Sequence, residues 1–168
     1  VTGNLGDSYV GLKILKKNLN FHQSIKKYFI NRYYQPILQS KLTNKLFSFA
    51  NTSIDISDGL ISDLEKLLNK QKFSYKIYME NIPISKNLKK LILLKKFRKA
   101  SCVSQGDDYQ ILFTASPSKM GIINKTAKSL GIKISKIGKI CSPMLKSEIY
   151  DQKRMKIALK MQGYYHKF

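Results

Sequence analysis

The sequence predicts an α/β fold of the interleaved α+β kind, a mixed β-sheet with helices packed against it. Stretches with helical apolar periodicity alternate along the chain with short β-branched runs. Glycine and proline punctuate most of the junctions between them. The 168 residues, 43% of them hydrophobic, suffice for one substantial core rather than two. One domain over 1–168 is therefore expected.

The elements follow in order. Gly3-Asn4-Leu5-Gly6-Asp7-Ser8 reads as a glycine-punctuated turn opening a helix, with Asp7 or Ser8 as N-cap. It is not a Walker-type loop, because no Gly-Lys-Ser/Thr follows. Phe21, Ile25, Tyr28 and Phe29 mark a helix ended by Pro36, and Leu38, Leu42, Leu46 and Phe49 mark the next. Ser53 to Ile56 is a short strand, and Leu60, Ile61, Leu64, Leu67 and Leu68 form the apolar stripe of a helix. Phe73, Tyr75, Ile77 and Met79 alternate with polar neighbours as a half-buried strand. Ile82-Pro83-Ile84-Ser85 then turns the chain into a lysine-rich helix around Leu88 to Phe97. Ile111 to Thr114 reads as a strand, and Met120, Ile123, Ala127 and Leu130 as a helix stopped by Gly131. Ile132-Lys133-Ile134, Ile137-Gly138-Lys139-Ile140 and Glu148-Ile149-Tyr150 read as strands, and the chain ends in an aromatic cluster from Gly163 to Phe168.

Composition excludes several classes. No apolar run reaches membrane-spanning length, and no signal-peptide pattern is present. Cys102 and Cys141 form no C-x-x-C pair, which argues against a zinc site and for a reduced, cytoplasmic protein. A net charge of +21 raises the possibility of nucleic acid. Against it, the 31 basic residues include only three arginines (Arg32, Arg98, Arg154), and the lysines are spread over every element. They read as solvated surface. His22 and His166 belong to no Ser-His-Asp or Cys-His pattern.

Two stretches carry chemistry. In Ile54-Asp55-Ile56-Ser57-Asp58-Gly59-Leu60, two carboxylates sit where a strand feeds a helix N-terminus. Carboxylates there attract a hard cation such as Mg²⁺, which bridges to phosphate oxygens. The structural alternative is that Ser57 or Asp58 merely caps the helix. Asp55 is harder to explain that way, since a carboxylate inside an apolar strand is costly unless paired or metal-bound. The second stretch, Gln105-Gly106-Asp107-Asp108-Tyr109, sets adjacent carboxylates at the mouth of a strand. It reads either as a contact for a cation or as a solvated turn.

Taken in order, Val1-Thr2-Gly3-x-x-Gly6-Asp7-Ser8, the Ile54 to Leu60 run, Ile82-Pro83-Ile84-Ser85, Gly106-Asp107-Asp108-Tyr109 with Leu112-Phe113-Thr114, and Gly163-Tyr164-x-His166 resemble the C-terminal half of the thiamine-monophosphate kinase family. That family belongs to the aminoimidazole-ribonucleotide synthetase-like superfamily. The resemblance covers essentially the whole chain. It implies ATP- and Mg²⁺-dependent phosphorylation of thiamine monophosphate to thiamine diphosphate. It places Asp55 and Asp58 on magnesium ligands, Ser57 on a nucleotide contact, Asp107 on a substrate-contacting acid and Tyr164 on the aromatic that meets the thiamine moiety. No side chain is implied as a covalent or acid–base catalyst, because the attacking phosphate oxygen is already anionic. The chain would be a C-terminal domain, inactive alone, whose N-terminal partner carries further aspartate-rich ATP and metal segments. The complete protein would be a homodimer.

Departures from the family pattern are visible. Asp107 stands where the family has glutamate, one methylene longer. Arg32 and Pro36 fit an Arg-x-x-x-Pro-x-Pro-Arg pattern, but Leu38 and Gln39 replace its second proline and arginine. The competing functions are another ATP-using synthetase of the superfamily and a basic nucleic-acid-binding module.

Overall fold

The computed structural model describes residues 1–17, 19–68 and 72–158. Seven helices and five strands alternate among them: α1 (Asp7–Lys17), α2 (Gln23–Tyr34), α3 (Ser40–Leu46), β1 (Thr52–Asp55), α4 (Leu60–Leu68), β2 (Ser74–Tyr78), α5 (Lys86–Leu93), α6 (Lys99–Val103), β3 (Ile111–Thr114), α7 (Met120–Leu130), β4 (Gly138–Cys141) and β5 (Glu148–Tyr150).

The strands form two small sheets. β1 and β3 pair antiparallel, with Asp55 opposite Ile111. The other sheet has the order β4-β2-β5, and β2 runs antiparallel to β4 but parallel to β5. The sheet is therefore mixed, as expected. Val1–Gly3 lies between β3 and the segment around Ile134. The Thr2 N–H donates to the Ile111 carbonyl at 3.0 Å, and the Gly3 N–H to the Lys133 carbonyl at 2.9 Å.

Apolar periodicity accounts for the packing. Leu60, Ile61, Leu64 and Leu68 are buried on one face of α4 and join Leu5 and Ile56 in the largest cluster. α1, α2 and α5 bring Val10, Phe29 and Leu88 together in a second cluster. All three are fully buried, each stabilising the fold by about 1.5–3 kcal/mol. Leu42, Phe49 and Ile123 form a third cluster between α3 and α7. α5 starts where Ser85 accepts the Leu88 N–H at 3.0 Å, an N-cap.

Three local expectations need correction. Ile132–Ile134 contributes a single bridge, Thr2 to Ile134, rather than a strand. The lysine-rich helix ends at Leu93, and α6 follows as a separate helix that the sequence pattern missed. Phe73 precedes β2 and is 44% exposed, and Ser74 is buried, so the alternating burial expected from Phe73 to Met79 begins only at Tyr75. Among the described residues, no helix is long and apolar enough to cross a membrane.

Candidate functional site

The turn after β1 and the loop before β3 lie backbone to backbone. The Asp107 N–H donates to the Ser57 carbonyl at 2.9 Å, and the Tyr109 N–H to the Ile56 carbonyl at 2.9 Å. The Ile56 N–H returns a bond to the Gln110 carbonyl at 2.8 Å. A glycine on each side permits the approach. A Cβ on Gly106 would sit 1.7 Å from the Ser57 carbonyl oxygen, and one on Gly59 would sit 2.3 Å from that of Ser104. The two acidic stretches that lie far apart in sequence thus form one structural unit.

Their side chains share a single neighbourhood. Burial first, and then the charge of Asp58, raises the Asp107 carboxyl above the ordinary carboxylate range. Burial likewise raises the Tyr109 phenol, followed by Asp107, Asp55, Tyr33 and Asp58 in that order of influence. Asp55, Asp58 and Asp107 each act on Tyr109, and the backbone of Ser57 holds the two loops together. Asp107 and Tyr109 adopt left-handed backbone, with φ of 65° and 50°. Strain of this kind costs about 1–3 kcal/mol per residue and gathers at functional sites.

Two of the expected roles change in physical detail. Asp55 is exposed at the end of an edge pair, so the desolvation argument for it fails. Asp58 is not seen capping α4; its carboxylate forms an ion pair with Lys66. The turn's donors are satisfied by Asp63 instead. Asp63, fully buried, accepts the N–H groups of Ser57, Asp58 and Gly59 at 2.9, 2.9 and 3.1 Å, and pairs with Lys66 at 3.0 Å. The available signal for it was a lone carboxylate in the first turn of an otherwise apolar helix face.

Asp108, beside Asp107, was also missed. It accepts the Gly6 N–H at 2.7 Å and further hydrogen bonds from Ser8, so it holds the turn that opens α1. Burial, with Asp7 nearby, pushes its carboxyl up to about 8. Asp7 is not seen as a cap but as an acceptor, from Ser85 Oγ at 2.7 Å and Tyr28 Oη at 2.8 Å. Next to these groups is a cavity of about 80 Å³ that includes Arg32, Pro36 and Gln110 in its lining. Tyr164 lies outside the described residues.

Metal-binding capacity is limited. Among the described residues, no group of three or more His, Cys, Asp or Glu side chains is arranged to hold an ion. Asp55 and Asp58 offer oxygen donors, which suits Mg²⁺ in its common mode of one or two carboxylates completed by water and phosphate oxygens. The Lys66 pair is no barrier, because Lys66 is 47% exposed and such surface pairs are worth about 0–1 kcal/mol.

No family model matches the chain. Two curated relatives are thiamine-monophosphate kinases from Buchnera aphidicola. That of subsp. Schizaphis graminum is 35% identical over 168 residues, and that of subsp. Acyrthosiphon pisum 32% identical over 171 residues. Each alignment covers 99% of this chain and 51% of the relative. The chain thus spans about half the length of the curated relatives it matches. A solved structure described as AaThiL complexed with AMPPCP and TMP is similar with a TM-score of 0.75 and 25% identity, over 98% of this chain and 50% of that one.

Proposed function

Since the chain belongs to the thiamine-monophosphate kinase family and spans about half of its relatives' length, we propose that it is the C-terminal domain of a kinase that phosphorylates thiamine monophosphate with ATP. The observation that carries this is the backbone lock between the turn that holds Asp55, Ser57 and Asp58 and the loop that holds Asp107. A relative solved with an ATP analogue and TMP supports the choice of substrates.

Phosphoryl transfer asks the protein chiefly for positioning and charge neutralisation. Asp55 and Asp58 would hold magnesium, which when bound offsets the negative charge of phosphate oxygens. Ser57, fixed by Asp63 and Asp107, contacts the nucleotide. Asp107 faces the substrate, and its carboxylate suits the cationic ring of thiamine. Tyr164 supplies an aromatic face for the same ring. The acceptor phosphate brings its own nucleophilic oxygen, so no histidine base is required. The remaining nucleotide and metal contacts come from an N-terminal domain, in a protein that assembles as a homodimer.

Asp55→Asn in the complete protein tests the assignment. Kinase kcat should fall by about 10²–10³-fold, the scale for losing one preorganised electrostatic partner. Stability should move by no more than about 0.5 kcal/mol, because Asp55 is exposed. Unchanged kcat, or a fold that collapses with it, would return Asp55 to a structural role.

A further inference from the structure

The lysine-rich stretch around α5 has no part in the site described above. From Asn81 to Gly106 the chain holds no acidic residue, yet Lys86, Lys89, Lys90, Lys95, Lys96 and Arg98 fall within it. All six are exposed, and among the described residues none of them forms an ion pair. α5 turns Leu88 and Leu91 into the cluster it shares with α1 and α2. The other side carries Lys86, Lys89, Lys90 and Leu93 at the i, i+3, i+4, i+7 spacing of one helix face.

This cationic stripe ends in an apolar tip, where Leu93 is 72% exposed and Leu94 67%. The tip is not a frayed helix end. The Lys96 N–H donates to the Leu91 carbonyl and the Lys95 N–H to the Ile92 carbonyl, both at 2.9 Å. That pair of bonds closes a helix in the Schellman motif. Lys95 takes its left-handed position, at φ 54°, which glycine usually fills. Beyond it Phe97 turns inward, its ring 6.5 Å from that of Tyr9 and 6.4 Å from that of Phe21. The turn that packs Phe97 thus holds two leucines out in water among cations.

We propose that this tip docks the domain on an anionic phospholipid surface, with Leu93 and Leu94 entering the headgroup layer and the six cations facing lipid phosphates. The charges are complementary, and each cation near such a surface strengthens binding by about fivefold. Aliphatic side chains add attachment that charge alone does not give, and stable peripheral binding needs two such signals together. Nucleic acid fits the tip less well. Only one of the six cations is arginine, and Phe97 is turned inward rather than offered to a base for stacking. This inference goes beyond the kinase reading and does not depend on it.

The chain has no tryptophan, so Leu93→Trp places a single fluorophore at the tip. Met144→Trp, at a 93% exposed position between β4 and β5, is the control. The probe is vesicles of equal parts phosphatidylcholine and phosphatidylglycerol at about 0.15 M salt. The Leu93→Trp emission should shift to the blue on these vesicles, and the Met144→Trp emission should not. Adding Lys95→Glu and Lys96→Glu to the Leu93→Trp chain should weaken binding at least about 25-fold. Vesicles of phosphatidylcholine alone should move neither emission. No shift on the anionic vesicles, an equal shift from Met144→Trp, or undiminished binding after the charge reversals would overturn the proposal. So would a single-stranded oligonucleotide held by the tip more tightly than the vesicles, which would assign it to nucleic acid.

Discussion

Asp63→Ala tests the structural half of the account. The side chain is fully buried and accepts three backbone N–H groups, those of Ser57, Asp58 and Gly59. Hydrogen bonds to a charged acceptor are worth about 1.5–3 kcal/mol each. The three do not sum in full. Ser57 and Asp58 are half-buried, so water can replace the carboxylate there, whereas the Gly59 N–H is sealed. Losing the Lys66 pair adds at most about 1 kcal/mol, since Lys66 is largely solvated. The expected cost is about 3 kcal/mol, a large part of the ~5–15 kcal/mol that holds a domain folded. Asp63→Asn keeps one acceptor oxygen and should cost about half as much. Urea denaturation followed by circular dichroism measures both. An alanine variant within about 1 kcal/mol of the parent would refute the view that Asp63 organises the turn, as would an asparagine variant no better than alanine.

Two further outcomes follow from the same geometry. Asp108 releases its proton near 3.8 in an unfolded chain but near 8 when folded, so between those values the folded form holds a proton the unfolded form has shed. Its contribution is fully present below about pH 4 and is lost as pH rises through 8. Asp108→Asn should flatten that decline in a series of urea titrations, and an unchanged slope would contradict it. Gly106→Ala should cost on the order of 3 kcal/mol, since its Cβ meets the Ser57 carbonyl oxygen at 1.7 Å. Gly121→Ala, in α7 with nothing within 4 Å, should instead stabilise by about 0.5–1 kcal/mol; similar thermal midpoints for the two variants would show that the loops are not locked.

Much of the fold was legible because it is written in local periodicity. The stripe from Leu60 to Leu68 gives α4, and Met120 to Leu130 gives α7 with its stop at Gly131. Even the mixed character of the sheet followed from alternating elements. What was not legible depends on partners distant in sequence. Asp108 looked like half of an acidic pair, yet it serves a turn 102 residues away. Ile132–Ile134 has the composition of a strand, yet only Ile134 forms a bridge, to Thr2. The case for Asp55 rested on burial that the structure does not show; its place near Asp58, Asp107 and Tyr109 now motivates its proposed role. Gly106 shows no reason for itself in the sequence; its reason is the Ser57 carbonyl pressed against it.

The most direct measurement is the transfer reaction itself, with ATP, Mg²⁺ and thiamine monophosphate, followed as thiamine diphosphate formed. The proposed assignment of this chain to one half of the site predicts one product per ATP from a polypeptide carrying this domain with its N-terminal partner. It predicts a rate at least about 100-fold lower from the 168-residue chain alone, since on that proposal the other electrostatic contacts come from the partner domain. Comparable turnover by this chain alone would contradict the half-site. A joined protein that uses ATP but leaves thiamine monophosphate unchanged would contradict the substrate.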